Sequence, residues 1–247
     1  MKALILAAGV GSRLGEITKE LPKCLVPVCG KPMLAHQLDA LCSRGITEIV
    51  MVLGYQKEKI KTFVTGHYPN LTFTFVENSE YATTNSSYSW LQAYPHIKDG
   101  SYLHFNCDII FDPVLLDKLI ASPGQNVLLV DRNVELDSSM EQVVLDDQKE
   151  KIMFMNKANL PNAMGRGSGM AKISPSGSTY MMVRLQQHLA ENPPFKNQHC
   201  HGLIRYALQQ VPFHALDPGN TFFYEINDQK ELKEAEEMIQ NHVAQCF

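Results

Sequence analysis

The residues best suited to chemistry stand within the first 33 positions of the 247-residue chain. An apolar run ends at Gly9; Gly11 and Arg13 follow at alternate positions, and Lys23 lies ten residues further on. Glycines let a backbone turn sharply and approach a ligand, and the N–H groups exposed in such a loop attract anions. An arginine and a lysine beside the loop add fixed positive charge. The spacing therefore predicts a site that binds a polyphosphate.

Two further polar stretches follow predicted strands. Asp108 comes at the carboxyl end of the strand 102–106, and the segment 77–89 is rich in small polar residues and turn formers. In open α/β sheets the ligand lies outside the carboxyl ends of the strands, so both stretches are expected beside the glycine loop. Mg²⁺ prefers one or two carboxylates together with phosphate oxygens, which makes Asp108 the predicted metal ligand.

Alternating strand and helix patterns must position these residues. Short apolar runs predict strands at 3–8, 48–53, 71–76, 102–106 and 126–130, and helical patterns at 34–44, 56–65, 85–95 and 112–122 separate them. This alternation is typical of an α/β fold with a mostly parallel central sheet and helices on both faces. After residue 170, shorter strands and three more helices are predicted, the last of them at 229–244.

The strand and helix alternation fails between residues 131 and 168. Residues 142–145 and 151–154 predict a β-hairpin, and the glycine- and asparagine-rich stretch 156–169 predicts a loop. No linker composition flanks this region. We therefore interpret 131–168 as a substrate-side insertion within a single domain that spans residues 1–247.

Composition narrows the classes of partner. The chain is 45% hydrophobic and 19% charged, as ordinary soluble proteins are, and its net charge of −4 gives no electrostatic reason to expect nucleic acid or a membrane surface as partner. No stretch approaches the ~20 apolar residues that span a bilayer. The six cysteines form no Cys-x-x-Cys pair and predict reduced thiols. A cytoplasmic protein is expected.

Aromatic and histidine clusters are further candidate sites. Tyr88 and Trp90, with Tyr81, could form an aromatic wall for a quaternary ammonium group on an acceptor, although aromatic residues at such spacing on a helix more often belong to the core. The run 199–201, His-Cys-His, suggests a metal site, but neighbouring residues on a helix point apart, so zinc is not expected.

Five stretches together resemble a known family. They are LILAAGVGSRLGEITKELPKCLVPV, VLGYQKEKI, ENSEYATTNSSYSWLQA, NCDIIFDP and FFYEINDQKELKEAEEM. From end to end the chain resembles the phosphocholine cytidylyltransferase-like branch of the nucleotidyltransferases that activate sugar phosphates and phosphocholine. The resemblance implies a Rossmann-like nucleotidyltransferase fold, Mg²⁺ as cofactor and CTP as nucleotide donor.

The resemblance also implies roles for single residues. Arg13 would hold the phosphates and Lys23 would bridge the donor and the incoming phosphate, so these two are the predicted catalytic residues. Asp108 matches a metal ligand. The residues implied to bind the nucleotide are Leu6, Ala7, Ala8, Gly9, Gly11, Asn78 and Asn85.

The chain departs from the family pattern near its C-terminus. Relatives often carry an aspartate, the second metal ligand, where this chain has Asn227 beside Asp228. An amide oxygen can coordinate a metal but brings no charge, and both residues also suit the N-cap of a helix. The predicted metal ligands are therefore Asp108 together with Asn227 or Asp228.

The acceptor side also departs from the pattern. Arg166 and the His201-Gly202 pair stand roughly where relatives often carry acids. A less acidic pocket is less suited to a cationic choline. This motivates the hypothesis that the acceptor is a phosphorylated or phosphonate compound less cationic than phosphocholine.

The predicted function is Mg²⁺-dependent transfer of CMP from CTP to a small phosphorylated acceptor, phosphocholine or a related phosphate or phosphonate, with release of pyrophosphate. The nucleophile is an ionised phosphate, so positioning and charge neutralisation would suffice without a general base. Two alternatives stay open. One is a sugar-1-phosphate nucleotidyltransferase using UTP, dTTP or GTP; the other, motivated by Asn227, is a nucleotide-binding subunit that has lost catalysis. The oligomeric state stays open too.

Overall fold

The computed structural model of the chain describes residues 1–192 and 199–245, and at 200, 201 and 241–245 it describes the backbone alone. The strands are β1 Lys2–Ala7, β2 Pro27–Val28, β3 Lys31–Pro32, β4 Glu48–Leu53, β5 Thr72–Glu77, β6 Tyr102–Asn106, β7 Ile109–Phe111, β8 Val127–Asp131, β9 Glu141–Leu145, β10 Ile152–Lys157, β11 Gly165–Ile173, β12 His214–Leu216 and β13 Phe223–Glu225. The α-helices are α1 Ile17–Glu20, α2 Met33–Cys42, α3 Lys57–His67, α4 Ser86–Ile97, α5 Pro113–Ala121, α6 Pro175–Glu191, α7 Cys200–Ala207 and α8 Gln229–Gln245. Two 3₁₀ turns, Ser12–Leu14 and Lys23–Leu25, lie between β1 and β2.

The central sheet has a parallel half and a mixed half. Its strands follow the order β10-β9-β11-β6-β1-β4-β5, and β8 pairs with β11 and β12 beside this path. β6, β1, β4 and β5 run parallel to one another, whereas β11 runs antiparallel to β6, β8 and β9. The predicted α/β fold with a mostly parallel central sheet is confirmed.

Alternation along the buried strands divides the core between the two faces of the sheet. In β1, Ile5 belongs to the cluster with residues of α2, α3 and α5, whereas Leu4 belongs to the cluster with α4, α6 and α7. Each strand therefore buries side chains on both faces, as the continuous apolar runs of the sequence indicate. Helices cover both faces, as predicted.

The predicted hairpin is present within the central sheet. β9 and β10 pair antiparallel, with Glu141 opposite Lys157 at the open end and Leu145 opposite Ile152 near the turn. β9 starts at the level of the sheet where β6 ends and runs on beyond it, since Arg166 pairs with Gln142 while Met170 pairs with Phe105. The hairpin therefore overhangs the carboxyl ends of the parallel strands.

Two local predictions need correction. The stretch 156–169 was predicted as a loop, but β11 already begins at Gly165. Its glycines permit close approach between strands: a Cβ on Gly165 would lie 2.7 Å from the carbonyl oxygen of Asp131, and one on Gly169 would lie 2.6 Å from the side chain of Asn106. Helix α4 was predicted to end at Pro95 but runs to Ile97, because a proline in the last turn removes one hydrogen bond only and the helix remains packed on the sheet.

In the described part of the chain, no helix combines the length and the hydrophobicity needed to cross a membrane. Cys24, Cys29, Cys42 and Cys107 are free thiols. The thiols of Cys200 and Cys246 and the side chain of His201, which entered the sequence predictions, lie outside the described residues.

Candidate active site

A cleft of about 760 Å³ opens where β1 and β6 end. The glycine loop after β1 and the segment before α4 line one part of it, and the start of the hairpin and the approach to α8 line the rest. Most of the predicted site residues lie in its wall: Leu6, Ala8, Gly9, Gly11, Arg13, Lys23, Asn78, Asn85, Asp108, Asn227 and Asp228. The structure thus brings together residues that are up to 222 positions apart in the sequence, from Leu6 to Asp228.

The glycine loop has a conformation that only a residue without Cβ adopts easily at its centre. Gly11 has φ of +70°, and a Cβ built on it would lie 2.8 Å from the Cβ of Lys23. The Gly11 carbonyl accepts hydrogen bonds from the Leu14 amide at 3.0 Å and the Thr18 hydroxyl at 3.1 Å. The loop is therefore packed against the side chain of Lys23, so a larger residue at position 11 would displace that side chain.

Lys23 is a buried cation at the floor of the cleft. Its ammonium donates to Asp108 Oδ2 at 2.6 Å and to Asn227 Oδ1 at 3.2 Å. Burial disfavours the charged form, but the carboxylate of Asp108 outweighs this effect, and the pKa of Lys23 is raised above its usual value. Lys23 therefore stays protonated at neutral pH and is suited to neutralising phosphate charge, not to accepting a proton.

Arg13 joins the same network from the glycine loop. Its Nη2 donates to Asn227 Oδ1 at 2.8 Å. The amide oxygen of Asn227 thus accepts from two cations, Arg13 and Lys23, that were predicted as the catalytic pair. The position predicted as a second metal ligand is the acceptor that holds both cations in the cleft.

Asp228 caps the last helix. Its Oδ1 accepts a hydrogen bond from the Glu231 amide at 2.9 Å, and Glu231 Oε2 in turn accepts one from the Asn227 amide at 2.6 Å. This reciprocal arrangement satisfies amides at the start of α8. Asp228 therefore acts as a helix cap, which is the alternative to metal binding that the sequence also predicts for it.

Asp108 fits a divalent cation. While Oδ2 pairs with Lys23, Oδ1 is buried and has no hydrogen-bond partner. Such an oxygen is costly to leave without a cation or a donor. Among the described residues, no group of three or more His, Cys, Asp or Glu side chains is placed to hold a metal. A Mg²⁺ ion here would take Asp108 and complete its shell with water and substrate phosphates, which is how proteins commonly hold it.

Asn78 and Asn85 organise the segment before α4. Asn78 is buried, donates to Thr84 Oγ1 and Ser89 Oγ, both at 3.0 Å, and accepts from the Glu80 amide at 3.0 Å. Asn85 is the N-cap of α4 and accepts from the Ser86 amide at 2.8 Å. Both asparagines line the cleft, and both also use their side chains to fix the wall that they belong to.

Three predicted residues lie away from the cleft. Trp90 is fully buried; its Nε1 donates to the Tyr102 hydroxyl at 2.8 Å, and its ring stacks on His104 with a centroid distance of 4.3 Å. The prediction that Trp90 contacts an acceptor is therefore wrong, since the inward face of α4 carries it into the core. Tyr88 is not in the cleft wall and donates to Glu80 Oε1 at 2.7 Å, and Ala7 packs into the core on the α2 face.

The wall opposite the glycine loop was not predicted in detail. It comes from the insertion and its neighbours: Asp137, Ser139, Met140, Glu141, Lys157, Arg166 and Gly167. Arg166, which the sequence placed where relatives carry acids, is mostly buried and pairs with Asp131 Oδ2 at 3.5 Å. The register of the strands decides which side chains face the cleft, because a change of one residue would turn each of them to the opposite face. A single sequence does not specify that register, so it predicts where this wall lies and not which residues line it.

Comparisons with known proteins identify the family of the chain. The model of the MobA-like NTP transferase domain matches residues 3–173. CMP-5'-(3-aminopropyl)phosphonate synthase of Streptomyces rubellomurinus is 36% identical over 132 residues, which cover 53% of this chain and 21% of that protein. Choline-phosphate cytidylyltransferase of Streptococcus pneumoniae is 24% identical over 248 residues, which cover 98% of this chain and 99% of that protein.

A solved structure shares the fold. The inositol-1-phosphate CTP transferase of T. maritima superposes with a TM-score of 0.78 at 18% identity, over 95% of this chain and 93% of that one. The chain spans only 21% to 50% of the length of several curated relatives that it matches, the Streptomyces synthase among them. The family model nevertheless covers well over half of the chain, from β1 to the end of β11. The chain therefore belongs to the nucleotidyltransferases of the MobA-like NTP transferase domain family.

Proposed function

We propose that this chain is a Mg²⁺-dependent cytidylyltransferase that transfers CMP from CTP to a small acceptor bearing a phosphate or phosphonate group, with release of pyrophosphate. The observation that carries the proposal is the network in the cleft, in which Lys23 donates to Asp108 and Asn227 and Arg13 donates to Asn227. Two permanent cations beside a glycine loop suit a triphosphate, and the unpartnered Oδ1 of Asp108 suits its metal ion.

The reaction needs charge control more than proton transfer. An oxygen of the ionised acceptor attacks the α-phosphorus of CTP, a new P–O bond forms, and the bond to the β-phosphate oxygen breaks so that pyrophosphate leaves with the electron pair. Arg13 and Lys23 neutralise charge on the phosphates and hold attacking and leaving groups in line. Mg²⁺ held by Asp108 would supply further neutralisation when bound.

The choice of donor and acceptor rests on relatives. The synthase is named for a CMP product, the choline-phosphate enzyme for cytidylyl transfer and the inositol-1-phosphate enzyme for CTP, and the compounds in their names carry a phosphate or a phosphonate. CTP is therefore the proposed donor. A cytoplasmic location is part of the proposal, because nucleoside triphosphates are abundant there.

Pyrophosphate release with each of the four nucleoside triphosphates, in the presence of Mg²⁺, tests the proposal. Choline phosphate, aminoalkylphosphonates and hexose-1-phosphates would serve as acceptors. We expect CTP to be the preferred donor and Asp108→Asn to lower kcat by roughly 10²–10³-fold, as loss of one electrostatic contact to a transition state does. Asp117→Asn is the matched control, because Asp117 is a surface residue paired with Arg44.

Two results would contradict the proposal. Preferred turnover of a hexose-1-phosphate with UTP, dTTP or GTP would support the sugar-phosphate alternative. Tight binding of a triphosphate without turnover of any acceptor would support a nucleotide-binding subunit.

A further inference from the structure

The wall of the cleft that comes from residues 131–168 contains a buried carboxylate oxygen without a hydrogen-bond partner. Glu141, the first residue of β9, lines the cleft and is only 8% exposed. Its Oε2 is buried and accepts no hydrogen bond. A buried acceptor without a hydrogen bond has lost its contacts with water and gained none in return, and this penalty is larger when the group is charged. A ligand that donates to this oxygen would remove the penalty.

Neighbouring charges leave Glu141 available. Lys157 stands opposite it in the hairpin register, but it is exposed, and no ion pair of Glu141 occurs within the described residues. Arg166, the other cation of this wall, pairs with Asp131 through one Nη atom at 3.5 Å, while its Nε is buried without a partner; no hydrogen bond joins it to Glu141 among the described residues. The position next to Glu141 is fixed, because Gln142 donates to the Asp137 carbonyl at 2.9 Å and accepts from the Leu160 amide at 2.8 Å. Glu141 is thus presented on a rigid strand.

The other residues of the cleft indicate which chemical group would donate a hydrogen bond to Glu141. A quaternary ammonium group has no N–H and is recognised by several aromatic faces. Of the described residues that line the cleft, Tyr81 is the one with a phenolic or indole ring, since Trp90 is in the core. A single carboxylate oxygen lacking a hydrogen bond instead matches an ammonium group that carries N–H.

We propose that Glu141 recognises a protonated primary or secondary amine on the acceptor, at the end remote from its phosphate or phosphonate group. The inference rests on the proposed function and deepens it: the acceptor is a small zwitterion whose anionic end reacts at Lys23 and whose ammonium end donates to Glu141. Such an acceptor differs from phosphocholine in its N–H groups and not, as the sequence predicts, in carrying less positive charge. A trimethylammonium group cannot make that hydrogen bond, so the same residue discriminates against choline.

Matched acceptors test this recognition. Each aminoalkylphosphonate of two to four carbons is compared with the alkylphosphonate in which a methyl group replaces the ammonium group, and choline phosphate is included. We expect the wild-type protein to prefer the amine by about ten- to hundredfold in kcat/KM, the value of a hydrogen bond to a charged group. Glu141→Gln should reduce this preference to within about threefold, mainly through KM of the amine, with KM for CTP unchanged.

Two variants serve as controls. Glu150→Gln removes an exposed carboxylate from the hairpin turn and should behave as wild type. Glu141→Asp keeps the charge and should retain part of the preference, which a merely structural role would not predict. A preference for the amine that survives in a folded Glu141→Gln protein, or a wild-type protein that favours choline phosphate, would overturn the inference.

The two levels of the proposal fail differently. Turnover of alkylphosphonates with CTP but without preference for the amine leaves the cytidylyltransferase intact and removes the role of Glu141. If no acceptor turns over, calorimetric titration of the aminoalkyl and alkyl pairs into wild-type and Glu141→Gln proteins still decides the recognition. Equal affinities in the two proteins would then overturn it.

Discussion

Lys23 has two tasks that occur at different stages. It balances the charge of Asp108 and donates to Asn227, and the pair of Lys23 and Asp108 is mostly shielded from solvent. A triphosphate brings several negative charges to the same place, so the ammonium must redistribute its contacts between Asp108 and phosphate. Because Lys23 pairs with Asp108 before the substrate binds, the buried carboxylate of Asp108 has a counter-ion at that stage too.

Removal of that ammonium should affect turnover more than folding alone would explain. We expect Lys23→Met to lower kcat/KM by about 10²–10³-fold, because the stabilisation of the transition-state charge is lost. The variant also leaves Asp108 unpaired, at a cost of up to about 3–5 kcal/mol, so thermal melting must confirm that it folds. Lys19→Met is the control, since Lys19 forms an exposed pair with Glu16. Turnover within threefold of wild type in a folded Lys23→Met protein would contradict the assignment.

Two glycines of the same loop give a second test at this scale. Gly11→Ala puts a Cβ at a φ of +70° and 2.8 Å from the Cβ of Lys23, whereas a Cβ on Gly9 meets no atom within 4 Å. A left-handed conformation alone costs about 1–2 kcal/mol, and the clash adds to it. We expect Gly11→Ala to lower the free energy of unfolding by more than about 1 kcal/mol and Gly9→Ala to change it little. Denaturation followed by the fluorescence of Trp90, the single tryptophan, measures both. Equal effects would show that the loop relaxes freely.

At the scale of elements, helix α4 shows what periodicity does not decide. Its aromatic residues have the spacing of a helical face, and that spacing serves a core or a ligand wall equally well. The decision depends on which face meets the sheet. α4 sits on the face of β1 and β4 opposite to α2, so Trp90 points inward between Tyr102 and His104.

A substitution of Trp90 should therefore affect stability and spare acceptor binding. Trp90→Phe removes the hydrogen bond to Tyr102 and leaves space beside His104, so we expect the free energy of unfolding to fall by about 1–3 kcal/mol. KM for the acceptor should stay within twofold of the wild-type value. Denaturation followed by circular dichroism, with steady-state kinetics, measures the two effects. An increase in acceptor KM without loss of stability would instead support the hypothesis that Trp90 forms an aromatic wall for the acceptor.

Other elements show why some parts were predictable and others were not. The strand, glycine loop and Lys23 turn are contiguous in sequence, so local patterns sufficed to predict the cleft wall they form. The strand β11 was predicted as a loop through its first half because Gly165 and Gly167 resemble turn formers. These glycines permit close approach to neighbouring strands, where Gly165 meets Asp131 and Gly167 meets Leu128, each more than thirty positions away in the sequence. The position of Glu141 opposite Lys157 likewise follows from the hairpin register, which a single sequence does not specify.

At the scale of the whole molecule, the buried groups predict how stability depends on pH. The raised pKa of Lys23 means that the folded state holds its proton more tightly than the unfolded state, where lysine titrates near ~10.4. This contribution is fully present at neutral pH and is lost as pH rises through the folded-state value. Burial also raises the pKa of Tyr68, Tyr102 and Tyr224, which adds loss of stability in the same direction.

The Asp108→Asn variant isolates the contribution of Lys23 to the pH dependence of the free energy of unfolding. Without the carboxylate, the pKa of Lys23 falls, so the decline of the free energy of unfolding between about pH 9 and 11 should be shallower than in wild type. Urea denaturation across that range measures it. Asp117→Asn is the control, because its partner Arg44 stays charged throughout. Parallel curves for wild type and Asp108→Asn would contradict the coupling.

The hairpin β9–β10 has a consequence for how acceptor choice can change during evolution. Its strands send Glu141 and Lys157 to the cleft, yet Val143, Leu145, Ile152 and Met155 of the same strands are buried with α6 and α7. The Ile152 amide also donates to the carbonyl of Phe213, which lies far along the chain. Recombination that exchanged the hairpin alone would break this packing. Divergence in acceptor specificity is therefore expected to proceed by point substitution at the few cleft-facing positions, and a chimaera must carry residues 131–216 together.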